Sequence, residues 1–370
     1  MNNFLMDTGY HRKNKLRIPW QFAIAFLCFL LSRFMVHHGE VLEKYYSSTL
    51  NKWTIQLVSK ITGIFPFSLA EILYVGHLIA IPVVAAVFIY KLLKGGAFQF
   101  LYKVATYLCI LYIVFMGMWG LNYSRMSVGT MLNLKVTTYS EEELYELTEA
   151  LVEKANELRE NIIENPEGVV TLKGGYRDVL TRADEGYKIL GKSIGVFSGN
   201  YGKAKPILLS KPMLYTGITG MYFPFTSEAN VNIATHDLLL PATVLHEIAH
   251  QRGFASEDEA NYIAYLSASA HPDWDFKYSG TMLALIHSMK ALSKQNAQLA
   301  SELTRNYSEG LKRDIHNYNE FWKNYEGNVN KTADKVNDLY LKVNGKVEGT
   351  KSYGKMVDLL LAHFIKYGEI

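Results

Sequence analysis

Residues 241–266 read PATVLHEIAHQRGFASEDEANYIAYL, a stretch rich in groups that bind metal ions. His246 and His250 are four residues apart, so on a helix both imidazoles leave the same face and can meet at one ion. Glu247 directly follows the first histidine, where its carboxylate can reach a water on that ion. A catalytic zinc takes three protein ligands and keeps a fourth position open, so a third ligand is required. Glu257 and Glu259 are the nearest acids. Ser256–Glu259 reads as a capping box, Ser256 at the N-cap and Glu259 reaching back from the third helical position. That gives Glu259 a structural job and makes Glu257 the leading third ligand, with Glu259 or a distant residue as alternatives. Asn261, one helical turn beyond Glu257, is placed to hydrogen-bond a ligand imidazole and fix its tautomer.

The helix that must carry both histidines has its own signals. Val244, Leu245, Ile248 and Ala249 give it a buried side, Pro241 suits a first turn, and Gly253 stands where a helix end favours positive φ. The surrounding sequence reads as mostly helical. From Ser140 to about Glu164, Leu144, Leu147, Leu151 and Ala155 form one stripe behind a Ser140 N-cap. A second helix is expected near Arg177–Leu190. Between Gly195 and Ala234 the texture changes to Gly, Pro, Thr, Tyr and Val, which predicts two to four short strands. Within it, Tyr222–Ile233 reads either as an edge strand beside the cleft, able to hold an extended peptide, or as an ordinary hairpin with Glu228 solvated. Helical periodicity returns from Pro241 to about Tyr325 and again near Ser352–Lys366.

The chain has 370 residues, 49% of them hydrophobic, with 38 Lys+Arg against 35 Asp+Glu. These values exclude a disordered or low-complexity chain, and two cysteines exclude a disulfide scaffold. The charge is unevenly divided: residues 1–122 hold 11 basic and 4 acidic residues, a balance of +7, leaving 27 against 31, or −4, for residues 123–370. The basic front contains three apolar segments able to cross a ~30 Å bilayer core: Ile18–Val36, Ile72–Tyr90 and Val104–Leu121. A cleaved signal peptide fits the first less well, because no small-residue cleavage site follows it and two more segments come after. Cys28 and Cys109 both fall inside these segments, and Trp20, Trp119 and Tyr123 suit an interfacial aromatic belt. Arg12, Lys13, Lys15 and Arg17 cluster before the first segment, and Lys91, Lys94 and Lys103 lie about the turn between the second and third. By the positive-inside rule the N-terminus is expected in the cytoplasm and residues 123–370 outside. His77 within the second segment reads as a lone helix histidine. An intramembrane protease is rejected, because the apolar run before His246 spans only Leu238–Leu245 and is broken by Pro241 and Thr243.

The pentapeptide His246–His250 followed by Glu257-Asp258-Glu259-Ala260-Asn261 resembles the gluzincin type of zinc metallopeptidase. In that group the third ligand is the first residue of a Glu-x-x-x-Asp motif on the next helix. The resemblance implies that His246, His250 and Glu257 bind zinc and that Glu247 is the general base. Asn261 stands where the usual Asp would be, and the gap from His250 to Glu257 is short for that group. The whole chain, with three N-terminal spans and HEIAHQRGF…EDEAN behind them, resembles the bacterial membrane family called domain of unknown function 3810. The expected fold is therefore mainly α with a small β-sheet. Three transmembrane helices (about 18–36, 72–90 and 104–121) make an anchor in 1–122, followed by a zincin-like α+β domain in 123–370. The expected function is a membrane-anchored zinc metallopeptidase using a zinc-bound water; the alternative is a non-catalytic extracytoplasmic binding or sensing module with a structural or vestigial metal. Tyr262, Tyr265, His236 and His271 are candidate oxyanion donors by proximity in sequence. The expected partners are the lipid bilayer and a peptide or protein substrate, and no nucleic acid.

Overall fold

The computed structural model describes residues 19–137, 139–343 and 355–370. The basic cluster Arg12, Lys13, Lys15 and Arg17, and Ser352 at the start of the last expected helix, lie outside them. The described chain runs through helices α1 (Trp20–Met35), α2 (Gly39–Leu42), a π-helical segment (Glu43–Asn51), α3 (Lys52–Thr62), α4 (Leu69–Lys94) and α5 (Ala97–Met118). After a 3-10 turn at Gly120–Ser124 come α6 (Val128–Met131), α7 (Glu141–Arg159), α8 (Gly175–Arg182) and α9 (Asp184–Ser193). Strand β1 (Lys205–Pro206), helix α10 (Ser210–Leu214), and strands β2 (Gly220–Phe223) and β3 (Glu228–Val231) follow. The remainder is helical: α11 (Leu240–Gln251), α12 (Glu257–Ser269), α13 (Trp274–Gln295), α14 (Ala297–Leu303), α15 (Glu309–Lys323), α16 (Asn328–Val343) and α17 (Lys355–Tyr367).

Two helices, α4 and α5, are each long and apolar enough to cross a membrane. At 1.5 Å per residue α4 is about 39 Å long and α5 about 33 Å. The first expected span is shorter: α1 has 16 residues, about 24 Å, and reaches the criterion only together with Gly39–Thr62, from which it is bent by 119°. The apolar helices pack on one another through few polar contacts. Gln21 of α1 donates to Tyr102 Oη and Thr106 Oγ1 of α5, both at 3.2 Å, and His77 is not alone, lying 2.5 Å from Tyr107 Oη. Of the expected aromatic belt, Trp20 is exposed, but Trp119 is buried against Tyr222 and Ala255.

In the remainder, α7 begins with the full capping box, Ser140 Oγ accepting from Glu143 N–H and Glu143 accepting from Ser140 N–H. Its stripe of Leu144, Leu147, Leu151 and Ala155 is buried, and α13 lies along it, with α12 and then α11 stacked beyond. The helix expected at Arg177–Leu190 is there, interrupted only at Ala183. The sheet has the order β1-β3-β2, β3 pairing parallel with β1 and antiparallel with β2. Among the described residues, α2, the π-helical segment, α3, α6 and α16 fall where no regular structure is expected, and α10 lies within the stretch expected to hold strands.

Strands β2 and β3 form the expected hairpin, but Glu228 is buried rather than solvated. It pairs with Lys205, whose ammonium also donates to the carbonyls of Thr62 (2.7 Å) and Phe67 (3.1 Å). The Glu228 carboxylate accepts from Ala70 N–H at 2.8 Å. An anion at the first turn of α4 complements the helix dipole, so the sheet is fastened to the start of an apolar helix.

A second buried pair closes the far side. Arg159 binds Asp314 at 2.5 Å, and Asp314 also accepts from Tyr278 Oη (2.7 Å) and Val170 N–H (2.8 Å). Asp314→Ala leaves the Tyr278 hydroxyl and Val170 N–H without their acceptor and Arg159 with only Glu164 (2.8 Å) as its anion, and is expected to cost about 1–3 kcal/mol. The unfolding midpoint of the detergent-solubilised chain checks this, and an unchanged midpoint contradicts it.

Candidate metal centre

Helix α11 presents its groups by simple periodicity. Val244, Leu245, Ile248 and Ala249 sink into the core, which turns His246, Glu247 and His250 toward α12 and β2. The helix ends in a Schellman motif: Phe254 N–H donates to Ala249 O (3.2 Å) and Gly253 N–H to His250 O (2.8 Å), with Gly253 at φ +84°. The same turn swings the Phe254 carbonyl back over the helix end, where it lies 2.7 Å from His250 Nδ1. Helix α12 starts at Glu257, and one turn on, Asn261 Oδ1 lies 2.8 Å from His246 Nδ1.

Both imidazoles therefore have Nδ1 beside an oxygen atom, which fixes each ring and turns its Nε2 toward the same point. Those Nε2 atoms point at one carboxylate oxygen. His246 Nε2 is 3.2 Å and His250 Nε2 3.6 Å from Glu257 Oε2, and the three ligand atoms lie within 4.8 Å of one another. Ligand atoms about 2.1 Å from a tetrahedral ion are about 3.4 Å apart, close to the 3.2 and 3.6 Å that separate Glu257 Oε2 from the two imidazoles. Charge acts the same way. Burial would raise Glu257, but the two imidazoles outweigh it and hold its carboxyl well below the usual range. Burial would lower His250, but Glu257 outweighs it and lifts the imidazole to about 9. The pocket favours a positive charge between them.

Glu247 borders this point without joining it. Its side chain is buried, and Oε2 has no hydrogen-bond partner. Burial pushes its carboxyl up to about 7, against the pull of both histidines. Strand β2, at the sheet edge, passes directly over it: a Cβ on Gly220 would stand 2.4 Å from Glu247 Oε1, so a side chain there would displace the Glu247 carboxylate.

A wall adjoining β2 comes from the N-terminal part of the chain. Trp119, the first residue after α5, meets the His250 ring edge-on at 5.7 Å and the Tyr222 ring at 4.7 Å. Arg125 donates to the Arg252 carbonyl at the end of α11 (3.0 Å), ion-pairs with Glu43 (2.6 Å) and covers the Phe254 ring at 4.0 Å. Asn122 joins Ser47 and Asn51 of the π-helical segment, both at 2.9 Å. The His246–His250–Glu257 cluster thus packs against a residue that directly follows an apolar helix.

A profile of a protein family of unknown function, DUF3810, matches residues 46–361. The chain belongs to the DUF3810 family. Comparison with curated proteins and with solved structures returns no match. The matched region takes in the π-helical wall from Tyr46 onward, α3, α4, α5, α11 and α12, so those two apolar helices and the His246–His250–Glu257 cluster lie in one DUF3810 region, whereas α1 precedes it.

The structure of this DUF3810 protein gathers His246, Glu247, His250, Glu257 and Asn261. It does not gather Glu259, whose carboxylate accepts from Val128 N–H at 2.9 Å. The expected capping box is not completed either, because the Ser256 side chain makes no cap hydrogen bond. The four oxyanion candidates are engaged elsewhere: Tyr262 with His363, His236 with Asn317, His271 with Arg182 O and Tyr265 with Ser269. Gly220, Trp119, Arg125 and Phe254 were not anticipated; only the Gly220 position carried a local hint, a glycine inside a strand. Asn261→Ala removes the orienting acceptor of His246 and is expected to weaken zinc binding by about 10–100-fold. Titration against a zinc indicator checks this, and wild-type affinity contradicts it.

Proposed function

We propose that this protein is a membrane-anchored, zinc-dependent peptidase. His246, His250 and Glu257 are its metal ligands and Glu247 its general base. The observation that carries the reading is the convergence of two Nε2 atoms and one carboxylate oxygen beside a buried glutamate with an unpartnered oxygen. A carboxylate directly after the first histidine has little use in a closed structural site, whereas hydrolysis needs one there. Helices α4 and α5 hold the chain in the bilayer, and α1 together with Gly39–Thr62 forms a third membrane element. The basic residues Lys91 and Lys94, in the last turn of α4, favour that end in the cytoplasm and the metal centre outside.

A zinc ion at this site supplies the Lewis acid that lowers the pKa of a water to about 7 and polarises the scissile carbonyl. Glu247 takes the proton of the attacking water as the new C–O bond forms. It returns that proton to the departing amine as the C–N bond breaks, which balances the hydrolysis. Asn261 and the Phe254 carbonyl hold the two imidazoles in the tautomer that leaves Nε2 free. Beside Glu247, β2 offers an edge along which an extended peptide substrate can align. The test is cleavage of a degenerate peptide library by the full chain in lipid nanodiscs, beside Glu247→Gln. Cleavage by the wild type alone supports the reading, and equal cleavage by both sinks it.

A further inference from the structure

Helix α3 has two dissimilar faces. Ile55, Ser59 and Thr62 are buried toward the globular part, where Ser59 Oγ accepts from Gly202 N–H (3.0 Å) and Thr62 Oγ1 donates to Thr226 O (2.9 Å). The other face carries Trp53, Leu57, Ile61 and, just beyond the helix, Ile64, exposed by 73, 62, 54 and 78%. Spacings of four, four and three residues make this a continuous apolar stripe.

Its setting identifies what covers the stripe. The axis of Gly39–Thr62 is turned 119° from α1. With α1 across a bilayer, α3 therefore lies about 29° from the membrane plane, that is, 119° less the 90° of a perpendicular. Seven residues after α3 ends, α4 begins. A remote segment supplies a second apolar surface at the same level. Glu71, in the first turn of α4, accepts from the N–H groups of Leu208 (2.8 Å) and Leu209 (2.7 Å). Those leucines are 74 and 51% exposed. Two unrelated segments thus show large apolar side chains beside the start of a membrane-crossing helix.

We propose that α3 is an in-plane membrane helix. Its Trp53–Leu57–Ile61–Ile64 stripe, together with Leu208 and Leu209, sinks about 5–10 Å into the leaflet on the globular side. The occupant of this surface is lipid acyl chain. The inference rests on the reading of α1, α4 and α5 as spans. It adds that the globular part is pressed onto the bilayer rather than held off it, which keeps the centre beside Trp119 at headgroup level.

The test uses the full chain with Cys28→Ala and Cys109→Ala, reconstituted in phosphatidylethanolamine/phosphatidylglycerol vesicles. Nitroxide labels are placed singly at Leu57→Cys, Ile61→Cys and Leu208→Cys, with Val83→Cys in α4 and Glu153→Cys on exposed α7 as references. Collision with lipid-soluble oxygen relative to an aqueous nickel chelate reads depth. At positions 57, 61 and 208 the ratio is expected to exceed that at 153 severalfold and to fall below that at 83. Ratios at the aqueous level there, with a deep signal at 83, overturn the in-plane helix while the spans stand. An aqueous signal at 83 overturns the spans as well. Labels shielded from both reagents place a protein, such as a second copy of the chain, on this face and also overturn the proposal.

Discussion

Glu247→Gln is expected to retain its zinc and to lose peptide hydrolysis by roughly 10²–10⁴-fold. The substitution keeps the shape of the side chain in a site walled by Gly220 and the His250 helix. The three ligand atoms belong to other residues, so the metal stays. What goes is the only feature the reaction needs from this position, an oxygen that accepts a proton and gives it up again. The carboxylate is suited to that task, because burial raises it to about 7. Zinc content and turnover measured on the same preparations separate the two effects. A variant that keeps both would remove Glu247 from the chemistry, and one that loses both would make it structural.

Glu257→Gln should release the metal, while Glu259→Gln should not. The two acids are two residues apart and their environments differ completely. Glu257 Oε2 lies within 3.6 Å of both imidazoles, whereas Glu259 accepts from the backbone of Val128. Loss of the anionic ligand is expected to weaken zinc by on the order of 10²-fold or more, since changes behind a ligand alone cost about 10–100-fold. Glu259→Gln should instead loosen the join between α6 and α12 and appear as a lower unfolding midpoint with zinc retained. The reverse pattern would move the centre to Glu259.

Much of the centre is written locally, which is why it was legible. His246 and His250 share a helix face by spacing, Gly253 marks the helix end, and Asn261 follows Glu257 by one turn. The helical stripe of α7 and the three short strands of 195–234 were readable for the same reason. What escaped was held by distant partners. Glu259 was assigned to a local cap because Val128, 131 residues away, could not be foreseen as its donor. Glu228 looked like a hairpin residue in water, but Lys205 and the start of α4 bury it. Trp119 read as an interfacial aromatic, and the return of the chain after α5 instead lays it on His250. Helix α3 was hidden because its buried side is largely polar, Ser59 and Thr62 beside Ile55, and is satisfied only by the distant Gly202 and Thr226.

The most direct measurement is zinc per chain in the purified full-length protein, by elemental mass spectrometry after dialysis against metal-free buffer. About one zinc per chain is expected, removed by a strong chelator and restored stoichiometrically by added zinc. A folded chain that takes up no zinc would contradict the account, leaving His246, His250 and Glu257 as a polar cluster without a metal.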